Sequence, residues 1–349
     1  MFADNASYIK SLDVFAESID WDRLNYKKIL IVGATGLIGT FLIDLIMRVN
    51  KIRKLHISVI AMGRDKRNIE VRFSCYFDNP CFSSVPADIN QPLVLDEKVD
   101  FIIHLASNTH PVAYAEHPVE TLMTNVEGTY RLLSYAVNHM TERFLFLSSV
   151  EIYGQTTNNE PLKETDCGYI DCNTVRACYN EGKRAGESLC QAFIKQYNLD
   201  IVIPRLCRIY GPTMKIDDSK ALSQFLKKGL QKENIVLKSK GNQYFSYLYV
   251  GDTVNAFLHL LLNGKKGEVY NVADAASNIH LKDLAEYVAS WAGKSVVFDI
   301  PEKKESAGYS KADYAILDSN KLCKTGWIAK YDIKRGINET LDILDMEKY

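Results

Sequence analysis

The chain has 349 residues, of which 47% are hydrophobic and 24% are charged, and its formal net charge is −1. These values are typical of a globular protein with a large core, and a near-neutral charge gives no reason to expect a nucleic acid or an anionic membrane as partner. The eight cysteines include no Cys-x-x-Cys pair and the seven histidines no His-Glu-x-x-His motif, so we expect reduced thiols and no metal site. Because Asp4 precedes any basic residue and no apolar h-region follows, we expect no signal peptide and a cytoplasmic protein.

Short apolar strands alternate with helices over the first part of the chain. An amphipathic helix within residues 5–20 comes first. Strands are then predicted at Ile29–Gly33, Ile57–Met62, Phe101–Leu105, Phe144–Ser148 and Ile201–Pro204, and helices near 37–50, 112–138 and 176–197. This alternation predicts parallel strands with right-handed crossovers, a Rossmann-type doubly wound α/β sheet. The apolar stretch Ile29–Met47 is about as long as a membrane span, but its three glycines and Asp44 favour a strand, a turn and a helix.

The pattern changes after Arg205. The predicted elements are helices near 219–229, from Asp252, near 281–292 and after Asp332, and strands at Ile235–Leu237, Tyr244–Val250, Glu268–Val272 and Val296–Ile300. We therefore predict a large domain formed by 1–205 and 245–273, with 1–27 as a helical extension. Residues 206–244 and 274–349 form a smaller, discontinuous α/β domain at the carboxyl ends of the main strands, where open sheets bind ligands.

A glycine-rich loop follows the first predicted strand. Gly33 allows a tight turn, Gly36 lets the backbone approach a pyrophosphate, and Gly39 permits close packing of helix on strand. The free N–H groups at the start of the next helix would hold the phosphates. The candidate cofactor contacts in this loop are Gly33, Thr35, Gly36, Leu37, Ile38 and Gly39. The alternative is a glycine-rich bend without a ligand.

The end of the second strand bears on the choice of dinucleotide. An acidic residue there binds the ribose 2′-OH of NAD, whereas an arginine accommodates the 2′-phosphate of NADP. The chain has Arg64, which favours NADP, followed by Asp65, which could bind the ribose of NAD. These two residues do not decide the choice, so we name NAD as the expected cofactor and leave NADP open.

Tyr179 is the one tyrosine of the twenty that is followed four residues later by a lysine, Lys183. On a helix the two side chains share one face. A nearby ammonium and a positive nicotinamide ring would lower the pKa of the phenol, so that Tyr179 can take a proton from an alcohol while hydride passes to the cofactor. Ser149, at the end of the preceding strand, can orient the substrate oxygen.

These motifs resemble those of the extended short-chain dehydrogenase/reductase family, in its branch of nucleotide-sugar epimerases, dehydratases and decarboxylases. The sequence at 176–184 is most similar to that of UDP-glucuronate decarboxylases. The shared motifs are Gly33-x-x-Gly36-x-x-Gly39, Asp88-Ile89, His104-Leu105-Ala106-Ser107, Asn125-x-x-Gly128-Thr129, Ser148–Gly154, Tyr179-x-x-x-Lys183, Arg205–Pro212 and Tyr249–Asp252.

The resemblance implies a tightly held cofactor that oxidises sugar C4, after which the hydride usually returns. It implies further cofactor contacts at Asp88, Ile89, Leu105, Ala106, Ser107 and Asn125, and substrate contacts at Ser107, Arg176 and Arg208. A purely structural role is the alternative for Asn125. Ion pairs with surface acids are the alternative for Arg176 and Arg208. The helices 112–138 and 176–197 are those that the family uses for a two-fold dimer, so a homodimer is expected.

The residues next to Ser149 and those of the aromatic strand decide the expected outcome. Glu151 matches a glutamate that dehydratases and decarboxylases of the family carry near sugar C5, whereas Val150 replaces the aspartic acid of hexose dehydratases. Decarboxylases carry an arginine where this chain has Phe245, and relatives have asparagine where it has Arg208. We therefore expect dehydration or epimerisation. Decarboxylation of a UDP-glucuronate, net 4-dehydrogenation and a non-catalytic cofactor-binding scaffold are the alternatives.

Overall fold

The computed structural model describes residues 5–93, 95–109, 111–156, 159–215, 218–300 and 313–346. Its helices are α1 (Ala6–Ala16), α2 (Leu37–Arg53), α3 (Lys66–Arg72), α4 (Pro111–Glu116), α5 (Pro118–Asn138), α6 (Ala177–Tyr197), α7 (Ala221–Leu230), α8 (Val250–Asn263), α9 (Leu281–Trp291), α10 (Asn320–Cys323) and α11 (Ile333–Met346). Its strands are β1 (Lys28–Val32), β2 (Ser58–Gly63), β3 (Phe82–Pro86), β4 (Phe101–His104), β5 (Arg143–Phe146), β6 (Ser148–Ser149), β7 (Ile201–Leu206), β8 (Arg208–Tyr210), β9 (Ile235–Leu237), β10 (Tyr244–Tyr249), β11 (Val269–Val272), β12 (Asn278–His280), β13 (Val296–Phe298) and β14 (Tyr314–Ala315).

A parallel sheet forms the centre of the molecule. Its strand order is β3-β2-β1-β4-β5-β7-β11, and the short strand β6 continues the pairing along β7. Every pair in this sheet is parallel. The order reverses direction between β1 and β4, which is the switch point where such sheets bind ligands. The predicted Rossmann-type doubly wound fold is confirmed.

Strand β1 shows why its sequence is a continuous apolar run. Ile29 and Ile31 join the core that includes α2 and α8, whereas Leu30 and Val32 join the core on the opposite face with side chains of α5 and α6. A strand that is covered on both faces needs apolar residues at every position. In the described part of the chain no helix is long and apolar enough to cross a membrane.

Several predicted elements differ from the observed ones. The single helix predicted at 112–138 is two helices, because Pro118 occupies the first turn of α5, where it has no N–H to continue α4. The predicted strand 144–148 is divided into β5 and β6. The elements that the sequence analysis did not predict are α3, β3, β8, β12, β14 and α10.

The second half of the chain builds smaller sheets. One has the order β12-β10-β14, with β8 beside β10, and another joins β13 to β9. Strand β10, predicted to be in the large domain, therefore lies in a smaller sheet, whereas β11 belongs to the large one. The division into two domains stays a prediction.

Candidate active site

The glycine loop between β1 and α2 has the shape that a dinucleotide pyrophosphate requires. Gly33 has φ +89°, and a Cβ there would lie 2.9 Å from the backbone N of Ala106. At Gly39 a Cβ would lie 2.6 Å from the Gly33 carbonyl oxygen. Gly36 is the N-cap of α2 and provides no side-chain cap. The cradle is thus bare backbone at a helix N-terminus, and Thr35, Leu37 and Ile38 lie in it, so the residues present fit a bound dinucleotide.

The other predicted cofactor contacts lie at the ends of β3 and β4. Asp88 and Ile89 follow β3, and Ile89 is buried against Gly128. Leu105, Ala106 and Ser107 follow β4. The Ser107 hydroxyl donates to Asn125 Oδ1 at 3.0 Å.

Asn125 is fully buried in α5. Its amide nitrogen donates to the Thr121 carbonyl oxygen at 2.8 Å, and its Oδ1 accepts from Ser107. Because both ends of the amide are engaged, Asn125 orients Ser107 at the end of β4.

Arg64 and Asp65 lie on the surface after β2. The Arg64 guanidinium is 3.4 Å from Asn108 Oδ1. Asp65 caps helix α3 by accepting from the backbone N of Asn68 at 3.1 Å. The acidic residue is thus already engaged by its own helix, and the exposed arginine lies beside the loop that follows β4.

The catalytic candidates meet where β5 and β6 end and α6 passes. Tyr179 and Lys183 lie one turn apart in α6, and Ser149 is the last residue of β6. Lys183 is 1% exposed and donates from Nζ to the Leu147 carbonyl oxygen at 2.7 Å. Ser149 Oγ accepts from the backbone N of Glu151 at 3.2 Å. The structure therefore brings together the three groups that the sequence analysis singled out.

Burial is the largest influence on the pKa of both Tyr179 and Lys183. It raises the pKa of Tyr179 to about 12, with Glu151 adding to the rise while a hydrogen bond with Ser149 and the charge of Arg176 oppose it. Burial also lowers the pKa of Lys183 to about 7. Without a cofactor, the pKa of Tyr179 is therefore raised, because desolvation of the phenolate outweighs the charge of Arg176. The lowering expected beside a nicotinamide ring stays a prediction.

Glu151 lies in a short 3₁₀ turn after β6 with two polar partners. Its Oε2 accepts from Arg176 Nη2 at 3.2 Å, and its backbone carbonyl accepts from Asn180 Nδ2 at 2.9 Å. The Arg176 guanidinium also lies 5.4 Å from the ring centre of Tyr114. The carboxylate is thus held beside the catalytic helix.

Tyr114 and Asn180 belong to this site and were missed from the sequence. The ring of Tyr114 stacks on that of Tyr179 with centroids 5.0 Å apart. Asn180 directly follows Tyr179, and its position inside the Tyr-x-x-x-Lys motif was the available signal. For Tyr114 no local pattern exists, because α4 and α6 are distant in sequence.

Arg208 lies on β8, next to β10. Its guanidinium lies 3.4 Å from the ring centre of Phe245. Its Nη1 is buried and has no hydrogen-bond partner among the described residues. A buried donor without a partner is costly, so this nitrogen is suited to an incoming anion.

Among the residues described, no group of three or more His, Cys, Asp or Glu side chains is arranged to hold a metal ion.

Comparison with known proteins places the chain in a family. Residues 29–273 match the model of the NAD dependent epimerase/dehydratase family. The chain belongs to this family. The resemblance found in the motifs is thus confirmed, and the chain is an enzyme of a family whose cofactor is NAD.

Similar proteins include "UDP-glucuronic acid decarboxylase 5" of Arabidopsis thaliana, 31% identical over 311 residues that cover 89% of this chain and 87% of the relative. Among solved structures, the dTDP-glucose 4,6-dehydratase DesIV of Streptomyces venezuelae with NAD and TYD bound has a TM-score of 0.77 at 21% identity, covering 92% of this chain and 98% of that one. The UDP-glucuronic acid 4-epimerase of Bacillus cereus with UDP-glucuronic acid and NAD has a TM-score of 0.75 at 21% identity, covering 92% and 100%.

Proposed function

We propose that the protein oxidises C4 of a nucleotide-activated sugar with bound NAD, and that Tyr179, Lys183 and Ser149 do the chemistry. The observation that carries this proposal is the meeting of these three side chains at the carboxyl ends of the strands, beside the switch point at which the glycine loop lies. The family membership and the nucleotide-sugar relatives support it.

In the reaction, Tyr179 takes the hydroxyl proton at C4 and Ser149 holds the same oxygen. The glycine loop would hold NAD, which would supply the hydride acceptor. Lys183, one turn along α6, adds positive charge in its protonated form, and a bound NAD would add its own. Together they offset the burial that raises the pKa of Tyr179 to about 12.

Glu151 then moves a proton at C5, with dehydration or epimerisation as the outcome. Its ion pair with Arg176, at 3.2 Å, holds the carboxylate in place beside α6. Incubation with a panel of nucleotide sugars in deuterated water tests this role. We expect deuterium at C5 or C3 of an accepted sugar, and loss of that exchange in Glu151→Gln. Turnover without any solvent deuterium would contradict it.

Decarboxylation of a UDP-glucuronate is a second candidate, because curated relatives that cover most of the chain are UDP-glucuronic acid decarboxylases. Release of carbon dioxide from that sugar decides between the two and would make the enzyme a carboxy-lyase. A stable 4-keto sugar, with the cofactor recycled by a co-substrate, would instead indicate a net dehydrogenase. We place the enzyme in polysaccharide biosynthesis and in the cytoplasm.

Arg208 is the proposed contact for the substrate diphosphate, with Arg176 and Ser107 nearer to the sugar. The support is the buried Arg208 Nη1 that lacks a partner among the described residues, above the ring of Phe245. The test compares the affinities for UDP and uridine in three forms of the protein, namely the wild type, the single variant Arg208→Asn and the double variant with Phe245→Arg. We expect Arg208→Asn to lose the preference for UDP, and Arg208→Asn with Phe245→Arg to restore part of it. Equal UDP affinity in all forms would remove Arg208 from the site.

Denaturing the purified protein and identifying the released nucleotide tests NAD against NADP. We expect NAD. Release of NADP would indicate that Arg64 binds a 2′-phosphate.

We also propose a homodimer through α5 and α6. Three apolar side chains, Val119, Met123 and Tyr130, are exposed at helical spacing along α5, with exposed fractions of 69%, 37% and 52%. A continuous apolar face of this kind is typical of an interface with another chain.

A further inference from the structure

A buried ion pair lies directly behind the catalytic side chains. Arg205 donates from Nε and Nη2 to the two carboxylate oxygens of Glu187, at 2.9 and 2.7 Å. The two side chains are 9% and 13% exposed. The hydroxyl of Ser148 donates to the same carboxylate.

The pair touches both elements that carry catalytic groups. Glu187 comes one turn of α6 after Lys183, so the two side chains lie on the same face of the helix. Ser148 precedes Ser149 in β6, and the register pairs Ser148 with Arg205. A movement of this ion pair would therefore displace both the serine and the lysine of the site.

The other end of Arg205 is anchored as well. Its Nη1 donates to Tyr153 Oη at 3.0 Å and to the Glu164 carbonyl oxygen at 2.8 Å. Tyr153 in turn donates to Asn271 Oδ1 at 2.6 Å. The guanidinium is thus held on several sides, and it holds the Glu187 carboxylate in one place.

Charge interactions link Lys183 to three titratable groups, namely Glu187 and Cys190 on α6 and His104 on β4, and Tyr179 lies one turn before it in α6. Burial raises the pKa of the Cys190 thiol well above its usual value and lowers that of His104 well below it, so both are neutral near pH 7. Burial lowers the pKa of Lys183, while Cys190 and Glu187 act in the opposite direction. Glu187, which forms the ion pair with Arg205, is the neighbour that brings a charge to Lys183.

We infer that Glu187 and Arg205 are positioning residues for the reaction, which hold the Ser148–Ser149 strand in place and set the charge balance at Lys183. This inference rests on the proposed function. Stability alone does not account for the pair, because well-packed apolar residues often serve a buried position as well as two opposed charges do.

The test is the titration of Lys183 in the full-length protein, monitored by NMR of lysine side chains labelled at Cε and assigned with Lys183→Arg. We expect Glu187→Gln to lower the pKa of Lys183, because the charge of Arg205 is left unbalanced, and Arg205→Met to raise it, because the carboxylate is left unbalanced. Each shift should be about one pH unit. The double variant should titrate close to the wild type, and if one single variant fails to fold, the direction of the shift in the other still decides the test.

Asp200→Asn is the matched control. It breaks another ion pair of the same sheet, Arg143–Asp200 at 2.8 Å, and should leave the pKa of Lys183 unchanged. The inference would be overturned if neither single variant changed the pKa of Lys183, or if both variants changed it in the same direction. In a parallel assay, the alkaline limb of kcat should move with the titration. If the wild type turns over no nucleotide sugar, the proposed function fails, while the titration still decides the role of the ion pair.

Discussion

At the scale of single residues, the proposed chemistry uses a phenol, Tyr179, whose pKa burial raises. Tyr179 is 6% exposed beneath the ring of Tyr114, and burial raises its pKa to about 12. Lys183 is the nearest amine in sequence, yet its own pKa is lowered to about 7. The pair is thus costly to bury and becomes useful when a positive nicotinamide ring lies beside it.

Replacing Tyr179 by Phe removes the proton acceptor and little else. We expect kcat to fall by about 10³-fold, within the range for loss of a general base, with the affinity for NAD retained. Steady-state kinetics and NAD titration measure the two effects. Tyr26→Phe is the control, because Tyr26 is 75% exposed. Unchanged turnover in the Tyr179 variant would point to a scaffold protein.

Replacing Lys183 by Met should abolish turnover and stabilise the fold by roughly 1 kcal/mol at neutral pH. The pKa of Lys183 is about 7 when folded and 10.5 for a free lysine, so the unfolded chain takes up a proton that the folded one rejects. The wild type therefore loses stability as the pH falls from about 10.5 to 7, and loses no more below that. Urea unfolding across this range should show the slope in the wild type and a flatter response in the variant. Equal slopes would refute the assignment.

At the scale of elements, the glycine loop combines two constraints at one turn. Gly33 has a positive φ, and it also lies against the backbone of Ala106, just after the end of β4. Helix α2 can then begin next to the switch point, with its N-terminus at the predicted cofactor site. The loop is thus shaped jointly by β1, β4 and α2.

Gly33→Ala should therefore abolish NAD binding and cost more stability than Gly293→Ala. Both glycines have a positive φ, +89° and +66°, but a Cβ at Gly293 would meet nothing within 4 Å. We expect about 1 kcal/mol for the backbone strain at Gly293 and no effect on NAD there. Calorimetric titration of NAD and thermal unfolding measure both. Retained NAD affinity in the Gly33 variant would show that the cofactor binds elsewhere.

At the scale of the whole molecule, the exposed apolar stripe of α5 is unusual beside the polar surface of a monomer. If α5 and α6 pack on those of a second copy, the stripe is covered and α6, the helix that carries Tyr179 and Lys183, gains a second layer. Assembly and catalysis would then share the same helices.

Introducing charge at the stripe should dissociate the dimer. We expect Met123→Glu with Tyr130→Glu to give monomers, since buried unpaired carboxylates are costly at an interface. Light scattering coupled to size exclusion reads the mass. Val71→Glu is the control, because Val71 is 65% exposed on α3. If the wild type is monomeric at every concentration measured, the proposed homodimer is wrong.

The sequence alone determined the elements whose signal is local. The glycine spacing, the apolar run of β1 and the Tyr179–Lys183 spacing each report one short segment, and the structure has each of them where expected. Only the tertiary structure decided the features that depend on contacts between distant segments. Tyr114 reaches Tyr179 from another helix, β10 pairs with β8 and β12 instead of the large sheet, and burial sets the pKa of Tyr179. The physical reason is that stacking, strand pairing and desolvation arise when the chain folds back on itself, and residue spacing does not encode them.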